Sequence, residues 1–431
     1  MRSFHSIILI ATAFAATMLM SAGAYAQGSH PIARKSFSGP QKFTPNYDES
    51  SVRSYTLPEL MVTNDGKPVT KVRQWEKKRR PEILEILAEN CFGHVPTADV
   101  DTEYKLLEQC DTAMGGLATR KQVEITFRRN GVERKALLLM YIPNIRKGTA
   151  PCFLHYNYQG NHSTTFDPAV LPSRTSGFKR GSQVSRWPYK IMIEAGYAVA
   201  TAHYCDFFPD NYEEYGESIL PLFGYNKVED IPDNGPRAIS TWAWGYMRLM
   251  DYLQTDKDID RSKVILVGHS RLGKTALWTA ANDQRFAMVV SSSAGCGGDA
   301  LSRRNYGEEI GRISYVFPHW FCGNFIKFGN DADALPYDQH FLIAMAAPRP
   351  IYVVSAKEDI WCDPKGQLLG SHYAAPAWEL YGYEGINETE LPELNHPIMR
   401  RMGFHYREGI HDVTPYDWRN EIAFANKWFY R

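Results

Sequence analysis

Apolar and polar positions follow two different rhythms along this chain. Residues 123–127 alternate apolar and polar side chains, and residues 136–142 form a second apolar run. Asn130-Gly131 sits between them, and that dipeptide between two such runs predicts a β-hairpin. The segment therefore reads as an antiparallel edge leading into a sheet. Upstream, Arg79-Arg80-Pro81 opens a predicted helix over 82–90, with Pro81 suited to a first-turn position.

Beyond residue 150 the rhythm changes. Residues 152–156, 198–202, 264–267, 288–292 and 351–355 are short runs rich in β-formers, several of them nearly continuous in apolar character. Such runs suit strands buried on both faces. Helical patterns over 238–253, 274–281 and 337–345 lie between them. Alternating strands and helices predict an α/β fold, with a mostly parallel central sheet covered by helices on both faces. A last helix is signalled by Thr414 as N-cap, Pro415 in the first turn and Asp417 near the positive end of the dipole. Long irregular stretches near 157–190, 204–236 and 294–336 follow strands. Sites in open α/β sheets lie beyond the carboxyl ends of the strands, so these insertions are expected to wall the cleft.

The first residues change the cellular picture. Arg2, an apolar run over 7–20 and Ala24-Tyr25-Ala26 predict a signal peptide over 1–26, cleaved before Gln27. The apolar run is short for a membrane span, and no later stretch is long enough. The protein is expected to be exported, to the periplasm or beyond. Residues 27–50, rich in Ser, Pro, Gly and Lys, read as a mobile leader, and 51–431 as a single catalytic domain. A formal net charge of +0 argues against a nucleic-acid protein. The 25 Tyr and 10 Trp suit carbohydrate recognition as well as core packing. Seven Cys show neither Cys-x-x-Cys nor zinc spacing, and their odd number leaves at least one thiol free, expected to be buried and inert. Cys296 and Cys322 flank the insertion that carries Arg303 and Glu308, and export allows a disulfide between them. No His-Glu-x-x-His or similar metal pattern occurs, so neither a metal nor an organic cofactor is expected.

The candidate chemistry centres on Val264-Ile-Leu-Val-Gly-His-Ser-Arg-Leu-Gly-Lys274. A buried strand, a Gly-x-Ser turn and a helix in that order make a nucleophile elbow, the signature of the α/β-hydrolase fold. Ser270 is the expected nucleophile, although the second glycine comes one residue later than in Gly-x-Ser-x-Gly. Hydrolases of this fold place an acid after a late strand and a histidine before the last helix. Glu358, Asp359 and Asp363 follow strand 351–355. Asp359 is preferred because it falls where the loop can turn back to the cleft. A strand over 403–406 leads to His411, which is preferred to His405 inside that strand and to His396 before Pro397. Arg271 can stabilise an oxyanion through its amide and its guanidinium, and Lys274, one helical turn on, can face the same opening.

These motifs extend into a resemblance. Gly268-His-Ser-Arg-Leu-Gly-Lys274, Ala294-Gly-Cys-Gly-Gly298, Arg303-Arg-Asn-Tyr-Gly-Glu308, Phe317-Pro-His-Trp-Phe-Cys322, Glu358-Asp-Ile-Trp361 and Gly409-Ile-His-Asp-Val-Thr414 resemble the bacterial glucuronoyl esterases of carbohydrate esterase family 15. The resemblance runs from about Leu57 to the C-terminus. It implies Ser270, Arg271, Lys274 and His411 in the family's corresponding roles, with Glu308 and Trp361 contacting the sugar. It implies as substrate an ester of (4-O-methyl) D-glucuronic acid, as in lignin–glucuronoxylan linkages, and no cofactor. One departure stands out. Fungal members carry the triad acid after the strand that follows the nucleophile helix, but residues 291–293 offer no carboxylate, which leaves Asp359. The competing expectations are an acetylxylan or other carbohydrate ester hydrolase on the same fold, and a non-catalytic glycan-binding protein.

Overall fold

The computed structural model describes residues 43–173 and 177–430. The predicted signal peptide 1–26, and the leader as far as residue 42, lie outside the described residues. Among the described residues no helix is long and apolar enough to cross a membrane.

Ten strands form one sheet in the order β1-β2-β3-β5-β4-β6-β7-β8-β10-β9. They are β1 Asp101–Ala113, β2 Ala118–Arg129, β3 Val132–Pro143, β4 Ala150–Asn157, β5 Ala198–His203, β6 Ile259–His269, β7 Met288–Ser292, β8 Ile351–Ala356, β9 Ile398–Met399 and β10 Met402–Arg407. The block β5-β4-β6-β7-β8-β10 is parallel, while β1, β2 and β3 join it as an antiparallel edge. The hairpin falls where Asn-Gly predicts it. Arg129 pairs with Val132, and Asn130 and Gly131 take φ of 53° and 74°, both left-handed as a tight two-residue turn requires.

Side-chain parity divides the core between the two faces. From β6, Val264 and Leu266 face one layer and Ile265 and Val267 the other; β8 does the same with Ile351 and Val353 against Tyr352 and Val354. The first layer is filled by helices α1 Arg80–Leu87, α3 Ala238–Leu253, α4 Arg271–Asn282, α5 Gln339–Ala344 and α6 Pro364–Ala374. The second is covered by α2 Tyr189–Glu194 and α7 Pro415–Phe429. α3 spans the residues predicted for it. α7 begins with the predicted cap: Thr414 accepts from the Asp417 amide, and Asp417 accepts in return from the Thr414 amide. Near residue 80 the helical run is longer than its sequence signal, because π turns over Trp75–Arg79 and Ala88–Phe92 flank α1.

One expectation is corrected. Cys296 and Cys322 are both free, buried thiols and form no bridge. Cys322 is tied elsewhere: its amide donates to Cys91 O at 2.9 Å and its thiol to Glu89 O at 3.7 Å. Cys296 stays in the turn after β7. The last residues of the segment read as a leader make contacts with residues 304–307. Gly307 N donates to Asn46 O at 2.8 Å, the Tyr306 hydroxyl to Tyr47 O at 3.2 Å, and Arg304 pairs with Glu49 at 2.6 Å.

Candidate active site

β6 ends in a turn that only a glycine can precede. A Cβ at Gly268 would stand 1.9 Å from Leu272 O, inside the first turn of α4. Ser270 takes φ 56° and ψ −128°, a sparsely populated conformation for a residue with a side chain. Its amide is fixed to Ser292 O on β7 at 2.8 Å. It occupies the N-cap position of α4, but its hydroxyl makes no capping hydrogen bond. Arg271, the first residue of α4, has no carbonyl of its own helix to receive its amide.

The acid and the histidine emerge side by side because β8 and β10 are parallel neighbours, with Ala356 opposite Arg407. Their pairing continues into the loops: Lys357 N donates to Arg407 O at 2.9 Å and Glu358 N to Gly409 O at 3.0 Å. His411 Nδ1 then lies 2.7 Å from Asp359 Oδ2. The two other carboxylates are engaged elsewhere. Glu358 is exposed, and Asp363 pairs with Arg304 at 2.8 Å while capping α6 through Gly366 N. His405 is buried against Asp417 at 2.8 Å and His396 is exposed beside Glu393. The His411 ring stands 4.6 Å from that of His269, next to the serine. Burial, reinforced by His411, pushes His269 well below the ordinary histidine range, so it adds no second positive charge there. Among the described residues the Ser270 hydroxyl and His411 Nε2 are not hydrogen-bonded.

Arg271 and Lys274 do not simply face solvent. The Arg271 guanidinium pairs with Asp210 and lies 4.7 Å from the centre of the Trp320 ring, yet its buried Nε has no hydrogen-bond partner among the described residues. Asp210 also accepts from His319 Nε2 at 2.9 Å, Trp320 Nε1 at 2.7 Å and the Tyr204 hydroxyl at 3.0 Å. Burial alone raises that carboxyl, but Arg271 and the donors from His319 and Trp320 prevail and hold it well below the usual range. Lys274 is 3 % exposed, donates to Ala294 O, and its Nζ lies 3.8 Å from Glu308 Oε2. Burial raises the Glu308 carboxyl, with Lys274 opposing. Glu308 N donates to Trp361 O at 2.9 Å, which brings the predicted glutamate and indole onto one rim.

Sequence reasoning missed two neighbours of this group. Asp210 sits in the irregular insertion after β5, where no spacing marks it. No spacing marks Cys362 either, whose Sγ is 3.6 Å from His411 Nδ1.

A family model described as glucuronyl esterase, fungi, matches residues 230–382. Carbohydrate esterase MZ0003, from an unknown prokaryotic organism, is 40% identical over 399 residues, 88% of this chain and 91% of that protein. The chain belongs to carbohydrate esterase family 15, the glucuronoyl esterases. Two solved structures agree. A glucuronoyl esterase from Solibacter usitatus superposes with a TM-score of 0.84 at 39% identity, covering 88% of this chain and 100% of that one. A promiscuous CE15 esterase from a marine bacterial metagenome gives 0.83 at 39% identity, covering 89% and 99%. In this family member the strand end after the nucleophile helix has a different use. Ser291 donates to Asp299 at 2.7 Å, and Ser292 Oγ lies 3.1 Å from His269 Nδ1. Asp299 also accepts from Gly295 N and Gln367, so its carboxylate is occupied in bracing that turn.

Proposed function

We propose that the protein hydrolyses esters of D-glucuronic acid and its 4-O-methyl ether, of the kind that join glucuronoxylan to lignin, through an acyl-enzyme on Ser270. The observation that carries this reading is the 2.7 Å contact of His411 Nδ1 with Asp359 beside the elbow, together with an arginine whose buried Nε has no hydrogen-bond partner among the described residues. Family membership supports the substrate class.

In this reading Ser270 Oγ attacks the uronate carbonyl carbon and His411 Nε2 takes its proton. Asp359 keeps the other imidazole N–H in place and stabilises the imidazolium. The Arg271 amide and Nε donate to the oxyanion, and one such donor is typically worth about 10²–10³ in rate. His411 returns the proton to the departing alcohol, and water repeats the sequence on the acyl-enzyme. Lys274 and Glu308 form a buried charged pair suited to sugar hydroxyls, with Trp361 as an apolar wall. The export signal read over 1–26 fits an extracellular or periplasmic polysaccharide substrate. The test is turnover of benzyl glucuronate: wild type cleaves it and Ser270→Ala does not. Turnover by a Ser270→Ala protein free of wild type would remove the mechanism.

A further inference from the structure

The esterase chemistry has no use for a thiol, yet one sits against its histidine. A single 3-10 turn, Ile360–Cys362, follows Asp359, and Cys362 N donates back to Asp359 O at 3.0 Å. This folds the cysteine under the acid. Its Sγ lies 3.6 Å from His411 Nδ1 and 3.3 Å from Ser293 O. One carboxylate oxygen, one imidazole nitrogen and one sulfur thus converge, all within 4.8 Å of one another.

We propose that Asp359, Cys362 and His411 form a binding site for a thiophilic divalent cation of the zinc class, and that its occupancy switches the esterase off. Zinc is held by this donor set at about 2.3 Å from sulfur and about 2.0–2.1 Å from nitrogen, which in a tetrahedron separates S and N by about 3.5–3.6 Å. The pair already stands at 3.6 Å. The carboxylate oxygen, now 2.7 Å from Nδ1 and within 4.8 Å of the sulfur, has to move back from the nitrogen by about 0.6 Å to become the third ligand. The field around the sulfur also suits a cation. The carboxylates of Asp359, Glu308 and Asp299 act on it with one sign and the ammonium of Lys274 with the other. His411, whose side chain is 19% exposed, provides the way in from the cleft. Among the described residues the other grouping of potential ligands is Glu85, Glu89 and His94, which contains no sulfur.

Binding changes the histidine rather than the substrate pocket. The Cys362 S–H bond breaks, an S–metal bond forms, and that proton leaves to solvent. Nδ1 gives its lone pair to the metal, so the proton of the neutral imidazole moves to Nε2. An Nε2 that carries hydrogen cannot accept the Ser270 proton. Inhibition should therefore lower kcat with KM nearly unchanged, and one proton should be released per cation.

The inhibitory half of this proposal rests on the esterase reading, so the test reads binding and activity separately. The full-length protein is titrated with Co2+, followed by the thiolate-to-cobalt charge-transfer absorption, and with Zn2+, followed by glucuronate ester hydrolysis. The expected result is a charge-transfer band at one Co2+ per chain. Zn2+ should lower kcat, reversibly with chelator, and Cys362→Ala should lose the band and need at least about tenfold more Zn2+ for the same inhibition. His411→Gln, which keeps the sulfur but removes the nitrogen, should weaken Co2+ binding by a similar factor; it stands in if the cysteine variant does not fold. A band that persists in Cys362→Ala, or His411→Gln binding Co2+ as tightly as wild type, would overturn the site. Equal Zn2+ sensitivity in wild type and Cys362→Ala would overturn the switch. If metal-free wild type cleaves no glucuronate ester, the esterase reading fails, while the cobalt band still decides the site.

Discussion

Asp210→Asn distinguishes an arginine that is an oriented donor from one that is a loose charge beside the nucleophile. Asp210 accepts His319 and Trp320 on Oδ1, and Arg271 and Tyr204 on Oδ2. Asparagine has the same size but offers one oxygen and one NH2. With NH2 in the place of Oδ2, it faces the Arg271 donor. With NH2 in the place of Oδ1, it faces the Trp320 N–H, which cannot accept. Either orientation breaks a buried hydrogen bond, and both remove the counter-charge of the guanidinium. Breaking a buried pair on one side typically costs about 3–5 kcal/mol, so the melting temperature should fall. An Arg271 freed from its anchor should lose much of a transition-state donor's contribution, about 10²–10³ in kcat or ~2.7–4 kcal/mol. KM should barely move, because the oxyanion exists only in the transition state. The assay is kcat and KM on benzyl glucuronate for wild type, Asp210→Asn, Arg271→Met and the double variant. If Asp210 works through Arg271, the double variant should be no slower than Arg271→Met alone. Losses that multiply, or an Asp210→Asn protein with wild-type kcat and merely lower stability, would refute the argument.

Three further outcomes are expected. Asp359→Asn should lower kcat by about 10⁴, since an amide holds the wrong tautomer. Glu358→Gln should stay near wild type, and Asp363→Asn should lower the melting temperature through Arg304 rather than kcat; kinetics and melting curves of the three variants check this, and a crippled Glu358→Gln would reassign the acid. Glu308→Ala should erode the preference for glucuronate over galacturonate esters more than it alters the range of alcohols accepted, because a site built to bond hydroxyls rejects analogues that leave it unpaired. Unchanged sugar selectivity would remove Glu308 from the binding site. Burial holds His155, His203 and His340 down at about 3, 4 and 3. Below pH 6.5 the unfolded chain takes up protons that the native chain refuses. Stability is therefore full above about pH 6.5 and is lost as pH falls toward 4, by about 1.4 kcal/mol per pH unit per histidine. A melting temperature that stays level from pH 7.5 to 5 would contradict this.

The sequence was most informative where burial and backbone geometry leave few choices. Strands sealed on both faces, such as β6 and β8, advertise themselves as apolar runs, and the Thr414–Asp417 cap is a local reciprocal hydrogen-bond pair. β1 left no such mark. As an edge strand it is exposed over most of its length, so Asp101–Ala113 needs no alternation. Asp359 and His411 could be anticipated because strand order alone brings their loops together. Asp210 could not, since it meets Arg271 across an irregular insertion 61 residues away in sequence. The Cys296–Cys322 expectation failed for a related reason. Spacing says that two cysteines bracket a loop, but the direction in which each thiol points is set by partners such as Glu89 O.

The contacts of Asn46, Tyr47 and Glu49 with Gly307, Tyr306 and Arg304 tie the polypeptide just ahead of the first core elements to the insertion that carries Glu308. A catalytic unit trimmed at residue 51, where composition alone would draw the boundary, keeps every member of the Ser–His–Asp set. It surrenders part of the brace ahead of Glu308: the Arg304 guanidinium loses Glu49 while keeping Asp363, and the Gly307 amide loses Asn46 O. Recombinant pieces, fusions and proteolytic fragments of this enzyme would then differ in how firmly they grip the sugar while sharing one hydrolytic apparatus. On the proposed role of Glu308, the place at which the leader is severed would tune selectivity without touching the nucleophile.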